Sequence, residues 1–309
     1  MTFGVPGAPA SVFAQEGPWT WVPRPTVWLL IVGLSLLYWY AVTRIGPRAT
    51  ISGETVVTRS QLAWFVATMA VLWAASDWPL HDIGENYLYS AHMLQHLLLS
   101  LVLPPMAWLA TPTWLARMVL SSGLAYRIVR RLARPLVATV IFNAVVVFQH
   151  WPLVVNTSVA NGPFHYGVHL LVVLSSLLMW LPVAGPLPEL RPPLAVQMIH
   201  LFAQSIIPTV PTGFLIFAEG TVYRAYDVPY RLWGLSTTND QQLAGALMKV
   251  VGGMYLWVII GVLFMRFATH HTDNDRASGA ALDRRAPPQP QPASTASTSS
   301  APIDSTTSP

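Results

Sequence analysis

The sequence predicts an all-α membrane protein in which seven helices form a bundle that crosses the bilayer. Of the 309 residues, 53% are hydrophobic and 10% are charged, whereas soluble domains carry about 25% charged residues. Mean hydropathy is +0.47, and apolar runs recur near the length of ~20 residues that a spanning helix needs. The predicted spans are residues 26–42, 61–75, 87–109, 135–151, 164–183, 195–218 and 241–268.

The spans divide the chain into three predicted regions. An N-terminal segment, residues 1–25, is expected on the extracytoplasmic side, and it lacks the basic region and short apolar stretch of a cleavable signal. The seven-helix membrane domain covers residues 26–271. Residues 272–309 are polar and rich in Pro, Ser and Thr, which predicts a disordered cytoplasmic tail. Because no soluble catalytic domain remains, we expect a protein that is not an enzyme.

The positions of the arginines predict the orientation of the bundle. The loops after the first, third and fifth spans and the C-terminal flank carry most of the arginines, whereas the opposite side carries Arg24, Arg224 and Arg231. By the positive-inside rule, the N-terminus is outside and the C-terminus is cytoplasmic. The basic amphipathic segment 113–134 is expected to lie along the inner leaflet. The lipid bilayer is therefore a predicted partner, and nucleic acid is not.

The sixth and seventh spans carry features that bend or begin a helix. Pro208 and Pro211 in IIPTVPTGF remove backbone donors, so the sixth helix should bend there. The seventh span opens with NDQQLAG, where Asn239 or Asp240 is expected to cap the helix. Lys249 follows about 13 Å below the outer boundary, where a buried ammonium needs a partner or loses its proton. A lysine in a seventh helix also suggests a retinal Schiff base, but the third span offers no carboxylate counter-ion.

Histidines gather at the outer end of the predicted bundle. His92 and His96 are four residues apart in the third span, and His165 and His169 are four apart in the fifth. Each pair therefore projects from one face of its helix. At 1.5 Å per residue, the first pair lies roughly 8 and 14 Å below the outer boundary. Because ionisable groups inside a bilayer are costly and usually face a cavity or a partner, the two opposed pairs predict a metal cage.

The ligand types favour copper. There is no cysteine, which excludes thiolate metal sites, and a combination of imidazole and thioether ligands favours Cu(I). Zinc hydrolysis is disfavoured because no HExxH or similar motif supplies a general base beside the ligands. The predicted copper ligands are His92, His96, His150, His165, His169 and Met93.

A second set of residues is predicted to support or gate this site. The outer loop between the second and third spans contributes Asp77 and His81, and Asp82 lies in the same loop. The start of the seventh span contributes the remaining members, which are Asp240, Gln241, Met248 and Lys249. We expect these side chains to surround the metal ligands without being the principal ones.

Four motifs in order resemble one known family. They are HMLQHLLLSLVLPP in the third span, FQHWP at the end of the fourth, FHYGVHLLVVLSSLLMWLP in the fifth and NDQQLAGALM at the start of the seventh. Together, over roughly residues 60–268, they resemble the multi-pass CtaG-type cytochrome c oxidase assembly factors of Gram-positive bacteria. The resemblance implies a bacterial plasma-membrane protein that matures a haem–copper oxidase by supplying copper, with oxidase subunits as partners. It marks His92, His96, His150, His165, His169, Asp240 and Gln241, whereas a lysine at position 249 departs from the expected pattern.

Three interpretations of the histidines stay open at this point. The leading one is a membrane metallochaperone that binds copper and passes it to an oxidase subunit. The second is a haem-binding electron carrier, with axial imidazoles from the third and fifth spans. The third is a metal-free assembly scaffold in which the histidines only form hydrogen bonds between helices, as buried imidazoles commonly do.

Overall fold

A computed structural model describes residues 19–50 and 54–285, with side chains as far as residue 269. This part of the chain consists of helices and connecting turns and contains no strand, so the predicted all-α class is confirmed. Contacts divide the chain into two compact units, Met1–Phe267 and Ala268–Pro309. The site described below lies entirely within the first unit.

Twelve helices are numbered here within the described residues. The first six are α1 (Pro25–Ala49), α2 (Arg59–Ser76), α3 (Leu80–Asn86), α4 (Tyr89–Ala110), α5 (Thr113–Val119) and α6 (Gly123–Leu132). The others are α7 (Pro135–Gln149), α8 (Pro152–Ala160), α9 (Gly162–Ala184), α10 (Leu194–Ile206), α11 (Thr209–Ile216) and α12 (237–285). Within α1, α4 and α12, one turn each is a π-helix, at Ala41–Ile45, Leu98–Val102 and Met248–Gly252.

Several helices are long and apolar enough to cross a membrane. Among the described residues, five such stretches occur: Pro25–Ala49, Tyr89–Ala110, Gly162–Ala184, Leu194–Ile216 and Thr237–Thr269. A sixth results if α6 and α7, which meet at a bend of 74°, are one broken span. The chain is therefore a multi-pass membrane protein. The predicted second span lies on α2, which is helical but is not among these stretches, so the count of seven stays a prediction.

The predicted terminal regions lie mostly outside the described residues. Residues 1–18 of the N-terminal segment and residues 286–309 of the tail lie outside the described part of the chain. The helical stretch Gly253–Arg285 includes the first part of the predicted tail. The boundaries at residues 25 and 271 therefore stay predictions.

The π-turn of α4 comes just before a pair of prolines, Pro104 and Pro105. In an α-helix the carbonyl of Ser100 would accept from the N–H of residue 104, but position 104 is a proline and has no N–H. The indole Nε1 of Trp180 in α9 donates to this carbonyl instead, at 3.1 Å. Trp180 is 1% exposed and belongs to the main apolar core. The carbonyl that proline leaves without its helical donor thus forms a hydrogen bond that connects α4 to α9.

The predicted bend in the sixth span is confirmed. The helix stops at Ile206 and resumes at Thr209, on either side of Pro208. Lys249 is exposed rather than buried, and its ammonium donates to the Thr209 hydroxyl at 2.6 Å and to the Ser205 carbonyl at 3.3 Å. The lysine therefore has the partners that its charge requires, and they are at the helix break.

Candidate metal centre

Four histidines from two helices form the centre of the outer part of the bundle. On α4, the ring centroids of His92 and His96 are 4.5 Å apart, and on α9 those of His165 and His169 are 4.2 Å apart. Between the helices, His96 and His169 are separated by 4.7 Å, and His92 and His165 by 5.8 Å. The two i, i+4 pairs therefore face each other, as the sequence predicts. We call these four residues the histidine cluster.

Two overlapping groups of side chains in this region could hold an ion. One consists of His92, His96 and His169, and the other of Glu85, His165 and His169. Within each group the potential ligand atoms all lie within 4.8 Å of one another, and the Nε2 atoms of His92 and His96 are 2.9 Å apart. Because imidazole nitrogens bind an ion such as zinc at about 2.0–2.1 Å, the ligand atoms of one ion lie within about 4 Å of each other. Adjustments of under about 1 Å would complete either group.

Glu85 is a site residue that the sequence analysis missed. Its Oε1 lies 3.2 Å from His92 Nδ1 and 3.1 Å from His165 Nε2, so a single carboxylate oxygen faces both helices of the cluster. Burial disfavours the charged form, but the imidazoles of His165 and His92 that face the carboxylate outweigh it and hold the pKa of Glu85 well below its usual range. The carboxylate is therefore ionised at neutral pH and supplies a negative charge to the cluster.

The predicted outer loop is in fact helix α3, and this correction explains the position of Glu85. Residues taken as a loop between the second and third spans form Leu80–Asn86. At Gly84, an added Cβ would lie 2.9 Å from the backbone nitrogen of His92, so only glycine permits this approach of α3 to α4. The sequence did hold a signal, since Glu85 is four residues after His81 and shares its helix face.

Several nitrogens in and beside the histidine cluster are buried without a hydrogen-bond partner. They include Nδ1 of His96, Nε2 of His169 and Nε2 of His150. Leaving a buried polar atom unpaired costs about 1–3 kcal/mol. By contrast, His200 uses both ring nitrogens, with Thr139 Oγ1 and the Met179 carbonyl each at 2.9 Å. The outer histidines, unlike His200, thus retain unused ligand capacity.

His150 and Met93 lie beside the cluster rather than inside it. His150 Nδ1 is 2.6 Å from the Val146 carbonyl, and the residue is in neither potential ion-binding group. The geometry therefore does not place His150 in the same set as the other four predicted histidine ligands. Met93 is 3% exposed and packs against Tyr89. A cavity of about 70 Å³ is lined by Met93, His96, His150, Met248, Lys249 and neighbouring residues.

Two residues predicted to support the site occupy its outer edge. Asp77 is 0% exposed at the end of α2, where its carboxylate accepts from Trp73 Nε1 and from the Trp78 amide, each at 2.9 Å. These contacts serve the helix end rather than the cluster. His81 is closer, because its Nδ1 lies 3.0 Å from Gln95 Nε2 and its ring centroid is 6.5 Å from that of His165. Burial lowers the pKa of His81 to about 4.

Asp240 and Gln241 contact backbone segments that lie next to the histidine cluster. Asp240 accepts from the Tyr89 amide at 2.6 Å and from the Ser90 amide at 3.1 Å, so its carboxylate caps the N-terminus of α4. The predicted cap of α12 at Asn239 or Asp240 is wrong, because the Ser236 hydroxyl accepts from the Asn239 amide and is the N-cap. Asp240 thus caps a helix other than its own. The Gln241 side chain binds the backbone of the loop at residues 222–223.

Comparison with known families decides the identity. The profile of the family described as cytochrome c oxidase caa3 assembly factor matches residues 15–270. The chain belongs to this family. No curated protein and no solved structure matches the chain. The assembly factor's matched region includes the complete histidine cluster and Glu85, and the resemblance stated from the four sequence motifs is confirmed.

Proposed function

We propose that this assembly factor binds copper at the histidine cluster and supports its delivery to the nascent cytochrome c oxidase. Family membership supplies the link to the oxidase. The observation that supports a metal role is the meeting of His92, His96 and His169 with their ligand atoms within 4.8 Å. Imidazole nitrogens gathered in a buried site suit a transition ion, and two of them, Nδ1 of His96 and Nε2 of His169, have no hydrogen-bond partner.

The choice of copper depends on the ligand types and on the cargo that an oxidase needs. Imidazole accepts copper, zinc, iron and nickel, whereas a thioether favours Cu(I). Met93 and His96 line the same cavity of about 70 Å³. We propose that Met93 and His150 receive the ion when it leaves the cluster, since exchange between neighbouring ligands allows a bound ion to move without being released into lipid.

The same proposal includes the topology. In it α2 is a seventh span, the N-terminus is outside, and the cluster lies in the outer leaflet of a bacterial plasma membrane. Arg130 and Arg131 in the last turn of α6 support this orientation, because basic residues favour the cytoplasmic side. A non-catalytic role follows, since the proposed ion is cargo and not a reagent.

The haem alternative fits the site less well. Ring centroids of the histidines that face each other, His96 and His169, are only 4.7 Å apart. The cavity bordered by His92, His96, His165 and His169 has a volume of about 20 Å³. A porphyrin held between these facing rings would need a space of the size of other cofactor sites, about 300–1,000 Å³, so the structure argues against a haem with axial imidazoles from both α4 and α9. Similarly, the cavity of about 70 Å³ beside Lys249 argues against retinal.

A metal analysis tests the proposal. The protein is purified in detergent, loaded anaerobically with Cu(I) and freed of excess metal, and copper per protein is then measured. We expect about one ion in the wild type and a loss of at least about tenfold in affinity for a His92→Ala, His96→Ala double variant. His200→Ala is the matched control, and it should retain copper. Equal copper binding by the double variant and the control would place the copper site elsewhere. A wild-type protein that holds no copper, together with oxidase assembly that survives the double substitution in cells, would leave the metal-free scaffold as the function.

A further inference from the structure

A large cavity separates α1 from the rest of the bundle. It has a volume of about 1090 Å³. At the outer end, α1 is held by the Arg24–Asp82 ion pair. Further along, Tyr38 stacks on Phe65 with ring centroids 4.0 Å apart. Because α1 contains no buried residue between Pro25 and Tyr40, this helix borders the space without filling it.

The shape of the cavity matches a long molecule. Gln95 and Ala110 both line it, and they are 15 residues apart on α4. At 1.5 Å per residue, this separation corresponds to about 22 Å. Most of the lining is apolar and comes from α1, α4 and α9, with Leu30, Leu34, Leu37, Leu99, Leu103 and Leu170 among its members. A hydrocarbon tail therefore suits most of its length.

One end of the cavity is polar. It is lined there by Gln95 together with His81, His165, Tyr166 and His169. Gln95 is 1% exposed, and one end of its amide meets His81 Nδ1 at 3.0 Å while Oε1 has no hydrogen-bond partner. If the amide is turned around, its NH₂ group becomes the unpaired one. In either case Gln95 offers one unsatisfied hydrogen-bonding group, and a hydroxyl, which both donates and accepts, satisfies it.

The charge of the lining limits the ligand's head group. Among the described residues that line the cavity, Arg24 is the one with a permanent charge, and Asp82 pairs with it. An anionic phosphate would therefore meet no unpaired cation here, and leaving water without one is costly. The ligand's head group should be neutral. A flat head group also suits this end, since the imidazoles of His81 and His165 both border it.

We propose that this cavity binds one molecule of an isoprenoid quinol. Its hydroquinone ring lies at the polar end with one hydroxyl bonded to Gln95, and its tail extends between α1, α4 and α9. A volume of about 1090 Å³ exceeds the about 300–1,000 Å³ of small-molecule sites and is consistent with a head group plus a tail of several isoprene units. The proposal depends on the cavity and on Gln95, and not on a bound metal.

Lipid extraction tests the proposal directly. The protein is purified in mild detergent, extracted with organic solvent under reducing conditions, and the extract is quantified by mass spectrometry. We expect isoprenoid quinol or quinone at about 0.5–1 molecule per protein. Val173→Trp, which places an indole in the cavity, should reduce this amount at least fivefold. Val258→Trp is the matched control, because Val258 is exposed on α12 and does not line the cavity.

A second variant tests the contribution of the head group separately from that of the tail. It also keeps the proposal testable if Val173→Trp does not fold. Gln95→Leu keeps the volume but removes the hydrogen-bonding group, and it should weaken binding of a decyl-tailed benzoquinol to the delipidated protein by about tenfold. Extracts that contain only phospholipid, or no lipid above the detergent background, would overturn the proposal. So would quinol content that is equal in Val173→Trp and Val258→Trp. Copper measured on the same preparations shows independently whether the metal proposal holds.

Discussion

The Nε2 atoms of His92 and His96 lie 2.9 Å apart, one helical turn from each other on α4. At this distance one nitrogen carries a proton that the other accepts, or both lone pairs point at a shared ion. The neighbouring His169 belongs to the same group of potential ligands. Loss of either imidazole of this pair should therefore have a large effect on metal affinity.

Replacing His96 by Asn should abolish tight Cu(I) binding. The change removes one of three clustered nitrogens, and we expect the dissociation constant to rise at least about tenfold. Competition with a chromophoric Cu(I) chelator measures this constant. His200→Asn is the control, since His200 is equally buried but already bonded through both nitrogens. A His96→Asn protein that competes as well as the control would contradict the assignment.

Glu85→Gln should weaken metal binding while leaving the fold intact. The amide keeps the size of the side chain but removes the negative charge that faces His92 and His165. A loss of about 10–100-fold in affinity is expected, as for other residues that orient metal ligands. Glu189→Gln is the matched control, because Glu189 is partly exposed and pairs with Arg117 at 3.9 Å. Equal affinities for the two variants would remove Glu85 from the site.

Protonation of His81 should make the metal-free protein less stable as the pH falls. The pKa of His81 in the folded protein is about 4, below the ordinary value of about 6.5. The unfolded chain therefore binds the proton first, and stability decreases as pH falls from about 6.5 through 4. Between pH 7 and pH 5 the contribution is about 2 kcal/mol.

The control for this pH effect is His81→Gln, which cannot titrate. Unfolding by denaturant in detergent is followed at pH 7 and pH 5 for both proteins. The wild type should lose about 2 kcal/mol more than the variant across this interval. Identical losses would mean that His81 does not have the lowered pKa that its burial implies.

Asp240→Ala should destabilise the protein through α4 rather than through α12. The carboxylate is 2.6 Å from the Tyr89 amide, which it would leave unpaired. Loss of such a cap costs about 0.5–2 kcal/mol. A lower thermal unfolding midpoint is the expected result, with a smaller effect for Asp227→Ala, whose carboxylate is exposed and pairs with Arg231. If the two variants unfold alike, Asp240 is not an effective cap.

Lys249→Leu should lower stability without changing copper affinity. The ammonium donates to Thr209 and to Ser205 at the break between α10 and α11, and an aliphatic side chain cannot do so. Lys249→Arg retains donors and should unfold close to the wild type. A change in copper affinity of the Leu variant with an unaltered unfolding midpoint would instead assign Lys249 to the site.

Local periodicity was sufficient to predict the central part of the site. Residues four apart on a helix share a face, so the pairing of His92 with His96 and of His165 with His169 could be inferred before any coordinates. The break at Pro208 was equally local, because proline lacks a donor wherever it occurs. These features depend on chemistry within one or two turns of a single helix.

The features that were not predicted depend on distant parts of the chain. Asp240 caps a helix whose first residue is 151 positions away, and nothing near position 240 indicates that partner. Glu85 was missed because residues 80–86 were taken as a loop rather than a helix, and its partner His165 comes from another helix. His150 was predicted as a ligand from its position at the outer end of the fourth span and from the family resemblance, and its role stays a prediction.

The single carboxylate that joins α4 and α9 also sets the charge of the centre. Ligation requires uncharged imidazoles, so a ligand set that includes an ionised Glu85 would carry one negative charge. A univalent ion brings the total to zero, whereas a divalent ion leaves one excess positive charge in surroundings of low polarity, where uncompensated charge is expensive. For the proposed copper site, electroneutrality would therefore favour the reduced, cuprous form over cupric copper and zinc.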